Sequence, residues 1–310
     1  MHGGLHPLFT LAVIREWFVQ IVAVHGFSDA MLSRVAIIRG EKPLDMAVAA
    51  LEMVGAAEAL PMGSPVLVKP NYINTEHPFT GITTDGRVVE GVVKYLSEHA
   101  VEDIIIGEGT GEGDTMEAFR VAGVDKVAER WRSKLVDLNR DEFLQIEPKS
   151  PLALRRVKIA RTALESAIVS VPKLKPHRLA GVTLSLKNMM GTMTPKGSMH
   201  SHLSKNIVDL ASIIKPRIAV IDGIIAGEGH ETSGNPVEMN LIIAGTDPVA
   251  VDAVGAAVMG IAPETVKHLC LAEERGLGTC RLGQVEILGE PIENVRRKFK
   301  TSFVSKFVRI

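Results

Sequence analysis

The sequence predicts an α/β fold, with a mostly parallel sheet or sheets, helices on both faces, and two lobes with a cleft between them. Three observations carry this reading. Short apolar runs alternate with longer segments of helical period along the chain. The runs are continuously apolar rather than alternating, as in parallel strands covered on both faces. With 310 residues, 46% of them apolar and 23% charged, the chain can bury a large core.

Taken in order from Met31, the strand candidates are "VAII" (35–38), "VLV" (66–68), "DIII" (103–106), "KLVDL" (134–138), "AIVSV" (167–171), "IAVI" (218–221), "LIIAG" (241–245) and "VEIL" (285–288). Helical period marks "PLDMAVAALEMVGAAEAL", "GRVVEGVVKYLSEH", "TMEAFRVAGVDKVAERW", "LSKNIVDLASII", "PVAVDAVGAAVMG" and "PETVKHLCLAEERG". Two prolines interrupt the polar run "EPKSPLALRR" (147–156), which makes it the linker candidate. The expected division is therefore an N-terminal lobe over 31–150 and a C-terminal lobe over 151–310. Residues 1–30 are expected to be an extension outside the working protein, which would begin at Met31. Their apolar stretch is broken by Arg15, Glu16 and Gln20, which suits neither a membrane span nor a secretory signal.

Composition excludes some partners. Lysine plus arginine (35) balances aspartate plus glutamate (36) and aromatics are 4% of the chain, so neither nucleic acid nor a membrane is an expected partner. Cys270 and Cys280 form no CxxC pair and no iron–sulfur ligand run. Two such thiols suit a reducing, cytoplasmic setting, with Cys270 read as a buried structural thiol on an amphipathic helix.

In open α/β sheets ligands bind beyond the carboxyl ends of strands, so the residues after each apolar run carry the functional expectation. Lys69 and Asn71 follow "VLV". Gly107, Glu108, Gly109, Thr110 and Gly111 follow "DIII" in a loop, "GEGTGEG", that resembles a phosphate cradle, with Asp114 or Thr115 capping the next helix. Asp222 follows "IAVI". Asp247 and Pro248 start a helix, and Asp252 one turn on requires a cation or donor if it is buried.

The stretch "KPHRLAGVTLSLKNMMG" (175–191) places His177, Lys187 and Asn188 at the end of another run. His177 is the expected proton carrier, because an imidazole titrates near neutrality. Lys187 and Lys69 are expected as further catalytic residues, since a desolvated lysine near a second cation becomes a base or nucleophile. His200 and His202 are candidate metal ligands.

Together "VLVKPN", "GEGTG", "VPKLKPHRLAGVTLSLKNMMG", "SHLSKNIVDL", "IAVIDGI" and "GTDPVAVDAVGAAVMG" resemble the uncharacterised family known as domain of unknown function 362. Members of that family often accompany ferredoxin-like iron–sulfur modules, so the resemblance implies an iron–sulfur protein as a partner. A more distant similarity is to the nickel-pincer lactate racemases, through Pro176-His177, Ala180-Gly181 and Lys187. It implies acid–base chemistry of racemase or isomerase type, a nickel-pincer cofactor held at Lys187, and His200 or His202 as ligand. "GEGTGEG" departs from that pattern in having no histidine. The expected function is an enzyme acting on a small carboxylate or phosphate in the interlobe cleft. The alternative is a non-catalytic accessory protein that binds a metal cofactor or an iron–sulfur partner in redox or metallocentre assembly.

Overall fold

The computed structural model describes residues 32–302; the expected extension over 1–30 lies outside them. The chain runs β1 (Ser33–Arg39), α1 (Pro43–Val54), β2 (Val66–Pro70), α2 (Gly86–Glu98), β3 (Ile104–Glu108), α3 (Thr115–Val121), α4 (Val124–Trp131), β4 (Lys134–Asp137), β5 (Phe143–Ile146), β6 (Val157–Ala160), α5 (Arg161–Glu165) and β7 (Ala167–Val171). It continues through β8 (Pro176–His177), β9 (Gly181–Val182), α6 (Leu184–Asn188), β10 (Met193–Thr194), α7 (Leu203–Ala211), β11 (Ile218–Glu228), β12 (Asn235–Gly245), α8 (Pro248–Val258), α9 (Lys267–Glu274), β13 (Val285–Gly289) and α10 (Ile292–Val295).

Eight strands form one sheet in the order β13-β1-β12-β11-β7-β2-β3-β4. β12 is antiparallel to both of its neighbours, and the other pairings are parallel. The mostly parallel α/β expectation is met, apart from the tight β11–β12 pair, which a two-lobe reading of parallel units does not contain.

Helices cover both faces, and the strand residues show why. Leu67, Ile105 and Ile168 point into one apolar cluster with α7, α8 and α9, whereas Val66, Val68, Ile104, Ile106 and Val169 point into the other with α1 and α2. Since side chains alternate along a strand, a sheet packed on both faces needs apolar residues at every position, which is what the continuous runs supply.

The division expected at residue 150 is not a break in this structure. β2, from the first half, pairs in register with β7, from the second, and the described residues from Ser33 to Ser302 belong to one compact unit. The proline-bearing stretch 147–156 instead joins β5 and β6, which form a three-stranded sheet with β10. The apolar period did not reveal these short strands.

Local signals explain most helix ends. Pro43 starts α1 and Gly55, at φ 65°, ends it. Asp85, Asp114 and Asp247 cap α2, α3 and α8 by accepting backbone N–H groups. The single helix expected over "TMEAFRVAGVDKVAERW" is two, because Gly123 adopts φ 75° between α3 and α4. Among the described residues, no helix is long and apolar enough to cross a membrane.

Candidate functional site

A pocket of about 300 Å³ opens at the carboxyl ends of β2, β3 and β7, where the fold class predicts one. It is lined by Lys69, Asn71, Tyr72, Glu108, Gly109, Gly111, Lys175, His177, Thr183, Lys187, Asn188, Lys196, His200 and Glu231, among others. The structure thus brings together most of the strand-end residues picked out in the sequence.

Lys69 and Glu108 form the floor. Neighbouring parallel strands bring the Lys69 ammonium 2.8 Å from one Glu108 carboxylate oxygen and 3.0 Å from the other. Lys69 also donates to Pro70 O and to Asn188 Oδ1. Glu108 accepts further from the N–H groups of Tyr72 and Gly109. Burial pulls the Lys69 ammonium below the usual lysine value while Glu108 opposes that. The Lys69 cation is thus fully bound by protein groups at the pocket floor. Asn188, placed by α6, completes the tie by donating to Lys69 O and Ser170 Oγ, and Asn71 donates to Asn188 Oδ1.

The "GEGTGEG" loop is tight for reasons of packing. A Cβ on Gly109 would lie 2.2 Å from Gly191 O, one on Gly111 2.6 Å from Ile73 Cδ1, and one on Gly107 2.7 Å from Leu67 Cδ1. Its N–H groups are largely engaged within the protein: Gly109 with Glu108, Thr110 with Thr115 Oγ1, Glu112 with Ile73 O. The loop is a wall of the pocket, and its glycines admit close neighbours.

The other wall carries the cations. Lys175 is buried and donates to Ile82 O at 2.7 Å and Glu231 O at 3.0 Å. Burial, with Lys187 and Lys173 nearby, lowers its pKa to about 7. Lys196, whose ammonium meets Asn139 Oδ1, stands at the mouth.

Lys187 differs from all of them. Among the described residues its ammonium has neither an ion-pair nor a hydrogen-bond partner, although it lines the pocket and is only partly exposed. Burial is the main cause that lowers it to about 8; Glu231 works against this and Lys69 with it.

The stretch ending at Lys187 is not a strand. It turns into the short helix α6, which begins at Leu184 with φ 40°, a backbone conformation unusual for leucine and of the kind that concentrates at functional sites. Asp252 holds this helix. From the buried face of α8 it accepts from Ser185 N at 2.7 Å, Ser185 Oγ at 2.7 Å and Leu186 N at 3.0 Å. Burial still raises its carboxyl to about 7. Its partners are thus two backbone N–H groups and a hydroxyl rather than a cation, and Asp252 positions Lys187 from outside the pocket. Gly255, a turn further along α8, admits the Leu184 side chain, since a Cβ there would lie 3.0 Å from Leu184 Cδ1.

His177 is buried, with one ring nitrogen hydrogen-bonded to backbone. Nδ1 accepts from Leu179 N at 3.1 Å and Ala180 N at 3.2 Å, so a neutral ring carries its proton on Nε2. Nε2 faces Glu231 Oε1 at 3.5 Å, and Glu231 also meets Arg178 Nε at 3.1 Å. Burial, then Lys187 and Lys175, push the imidazole down to about 2.

Other predicted residues lie elsewhere. Asp222 is buried in an ion pair with Lys173 at 2.7 Å and also accepts from Asp85 N and Ile224 N. Asp247 caps α8 and accepts from Ser33 Oγ and Thr279 N. Neither lines the pocket.

Of the two candidate metal ligands, His200 is exposed at the pocket rim with Nδ1 near Gly197 O, and His202 is outside the pocket. Among the described residues, no group of three or more His, Cys, Asp or Glu is spaced to hold a metal ion. The thiol expectation also shifts: Cys280 is the buried cysteine and Cys270 is partly exposed.

Sequence reasoning missed Lys175, Tyr72, Thr183, Glu231 and His268. Glu231 comes from the β11–β12 turn, a long-range contact no local pattern reports. The Tyr72 hydroxyl, Thr183 Oγ1 and Asn71 Oδ1 are buried at the pocket without a hydrogen-bond partner, and both ring nitrogens of His268 are unpartnered behind it. Unpaired buried polar atoms are scarce in folded proteins, so three on residues that line this pocket point to a ligand or ordered water.

Among curated proteins the chain is similar to the thylakoid-associated protein sll1697 of Synechocystis sp., at 23% identity over 249 residues that cover 77% of this chain and 76% of that protein. No solved structure matches. These comparisons give no support to the similarity with lactate racemases. The sequence profile of one family, described as a domain of unknown function, matches residues 66–257, a span that contains every pocket-lining residue from Lys69 to Thr232. The chain belongs to this domain of unknown function 362 (DUF362) family.

Proposed function

We propose that the pocket is the active site of an enzyme acting on a small anion that carries a carboxylate or phosphate group. The observation that carries this reading is the partnerless ammonium of Lys187 in a cavity that also holds Lys175 and Lys196. A partly buried cation without a partner is costly, and a bound anion would remove that cost. Neutral His177, donating from Nε2, and the hydroxyls of Tyr72 and Thr183 supply hydrogen bonds that orient a ligand without adding charge. Lys187 is the reactive group, since an amine near pKa 8 is substantially deprotonated in neutral to mildly alkaline solution and can serve as base or nucleophile.

The test is titration calorimetry with oxalate and inorganic phosphate in buffers of different ionisation enthalpy. Binding of either anion is expected to draw up protons around pH 7.5, as Lys175 and Lys187 become fully charged, and to weaken at least ten-fold in Lys187→Gln. Unchanged affinity in Lys187→Gln would reject the assignment.

A second reading, a non-catalytic accessory protein for an iron–sulfur or metal-bearing partner, draws on the description of the Synechocystis relative as thylakoid-associated. Metal analysis and an absorption spectrum of protein purified without oxygen separate the two. A bound chromophore would favour the accessory role.

A further inference from the structure

We infer that Lys187 is an imine-forming lysine and that the ligand it takes is a small anionic aldehyde or ketone; this deepens the anion-site reading and rests on it. The argument starts from a comparison of four lysines at the same end of the sheet. Lys69 is bound by Glu108, Asn188 and Pro70 O, Lys173 by Asp222, and Lys175 by two backbone carbonyls. A carboxylate partner fixes an amine in its charged form, which has no lone pair to donate. Lys187, among the described residues, has no such partner and projects into a cavity whose other cations disfavour a further charge. Lys175 is less suited to the same reaction. An imine nitrogen keeps at most one N–H, so attack by Lys175 would leave Ile82 O or Glu231 O without its buried donor.

The rest of the cavity fits a carbonyl compound. The Lys187 lone pair attacks the carbonyl carbon, the C–N bond forms, and the carbonyl electron pair moves to oxygen, which takes a proton. Loss of that oxygen as water, with the nitrogen lone pair closing C=N, leaves a protonated imine. The sum is ammonium plus carbonyl compound giving protonated imine plus one water, with no oxidant or reductant. The hydroxyls of Tyr72 and Thr183, buried on the same pocket without partners, supply hydrogen bonds to the carbonyl oxygen as it becomes a hydroxyl. Tyr72 is held well above the ordinary tyrosine pKa, by burial first, and so stays a donor. Lys175 and Lys196 remain to hold the anionic group. Asp252 fixes the helix that aims the amine.

The experiment incubates the full chain with glyoxylate and sodium cyanoborohydride and maps the adduct by peptide mass spectrometry, with acetaldehyde as the neutral control and calorimetric binding of oxalate in parallel. The expected result is a single dominant adduct on Lys187, formed at least ten-fold faster with glyoxylate than with acetaldehyde. In Lys187→Arg, which keeps the charge, that adduct should be absent while the melting temperature and oxalate binding persist. Oxalate binding with Lys187 unmodified, or with the adduct on Lys175 or scattered over surface lysines, would overturn the imine and leave the anion site standing. A wild-type protein that neither binds oxalate nor labels at Lys187 would overturn both.

Discussion

Lys69 and Glu108 meet at 2.8 Å from adjacent parallel strands with almost no side-chain exposure, and the pair closes the floor of the cavity on which Lys187 stands free. Removing one member strands the other as a buried charge, which costs about 3–5 kcal/mol. Lys69→Met and Glu108→Leu are each expected to lower unfolding free energy by roughly that amount. Lys69→Met combined with Glu108→Leu should recover part of the loss, because no lone charge remains. Urea denaturation of the four proteins as a double-mutant cycle measures this. Additive losses would mean that the pair is not a structural tie.

Asp252 makes a parallel case at the back wall. Asp252→Ala leaves the Ser185 and Leu186 N–H groups of α6 without an acceptor, while the Ser185 hydroxyl still reaches Pro248 O; at about 1–3 kcal/mol for each buried group left unpaired, a loss of about 2 kcal/mol or more is expected. Asp252→Asn keeps one acceptor oxygen and should lose less. The readout specific to positioning is the Lys187 titration, followed by NMR of the side-chain nitrogen. It should move away from about 8 in Asp252→Ala even where the protein remains folded.

What was legible in the sequence follows from range. Continuous apolar strands announced a doubly covered sheet, and Asp114, Asp247 and Pro248 announced their helices, because each signal acts within a turn or two of the residue that carries it. The strand-end rule found Lys69, Asn71, Glu108, His177 and Lys187 as neighbours in space. It could not tell a bound lysine from a free one, since the partners of Lys69 lie 39 and 119 residues away. Asp222 ends the apolar run "IAVI" but lies inside β11, which runs on to Glu228, and its partner Lys173 holds it in the core. The β11–β12 turn delivers Glu231, and α9 delivers His268, only once the sheet has closed. His177 looked like a proton carrier because its sequence neighbours say nothing of burial beside two lysines.

Glycines along the pocket wall should separate packing from flexibility. Gly109→Ala sets a methyl group 2.2 Å from Gly191 O and 2.9 Å from Asn139 Oδ1, so backbone must shift. Overpacking of this kind costs about 1–3 kcal/mol. Gly197, near the pocket mouth, has nothing within 4 Å of a Cβ and no positive φ; Gly197→Ala should be neutral or stabilising by up to about 1 kcal/mol, through the unfolded chain. Thermal melts of the two variants give the contrast, and equal effects would show that Gly109 is not held by close approach.

Acid should weaken the fold through its buried imidazoles. Burial, with Lys187 close by, lowers His177 to about 2 and His268 to about 3, whereas in the unfolded chain both take a proton near pH 6.5. Between these values the unfolded state binds more protons, so each histidine lowers stability as pH falls from about 6.5 towards about 3. Asp252 acts in the opposite sense. Its carboxyl is protonated below about 7 in the folded protein but only below about 4 when unfolded, so its contribution grows as pH falls through 7. Two histidines against one carboxyl leave a net loss of stability on acidification between about pH 6 and pH 4. His268→Leu removes one of them, together with two unpartnered buried nitrogens. It should flatten the plot of unfolding free energy against pH by about 1.4 kcal/mol per unit. An unaltered slope in urea denaturation across that range would show that His268 is charged in the folded protein.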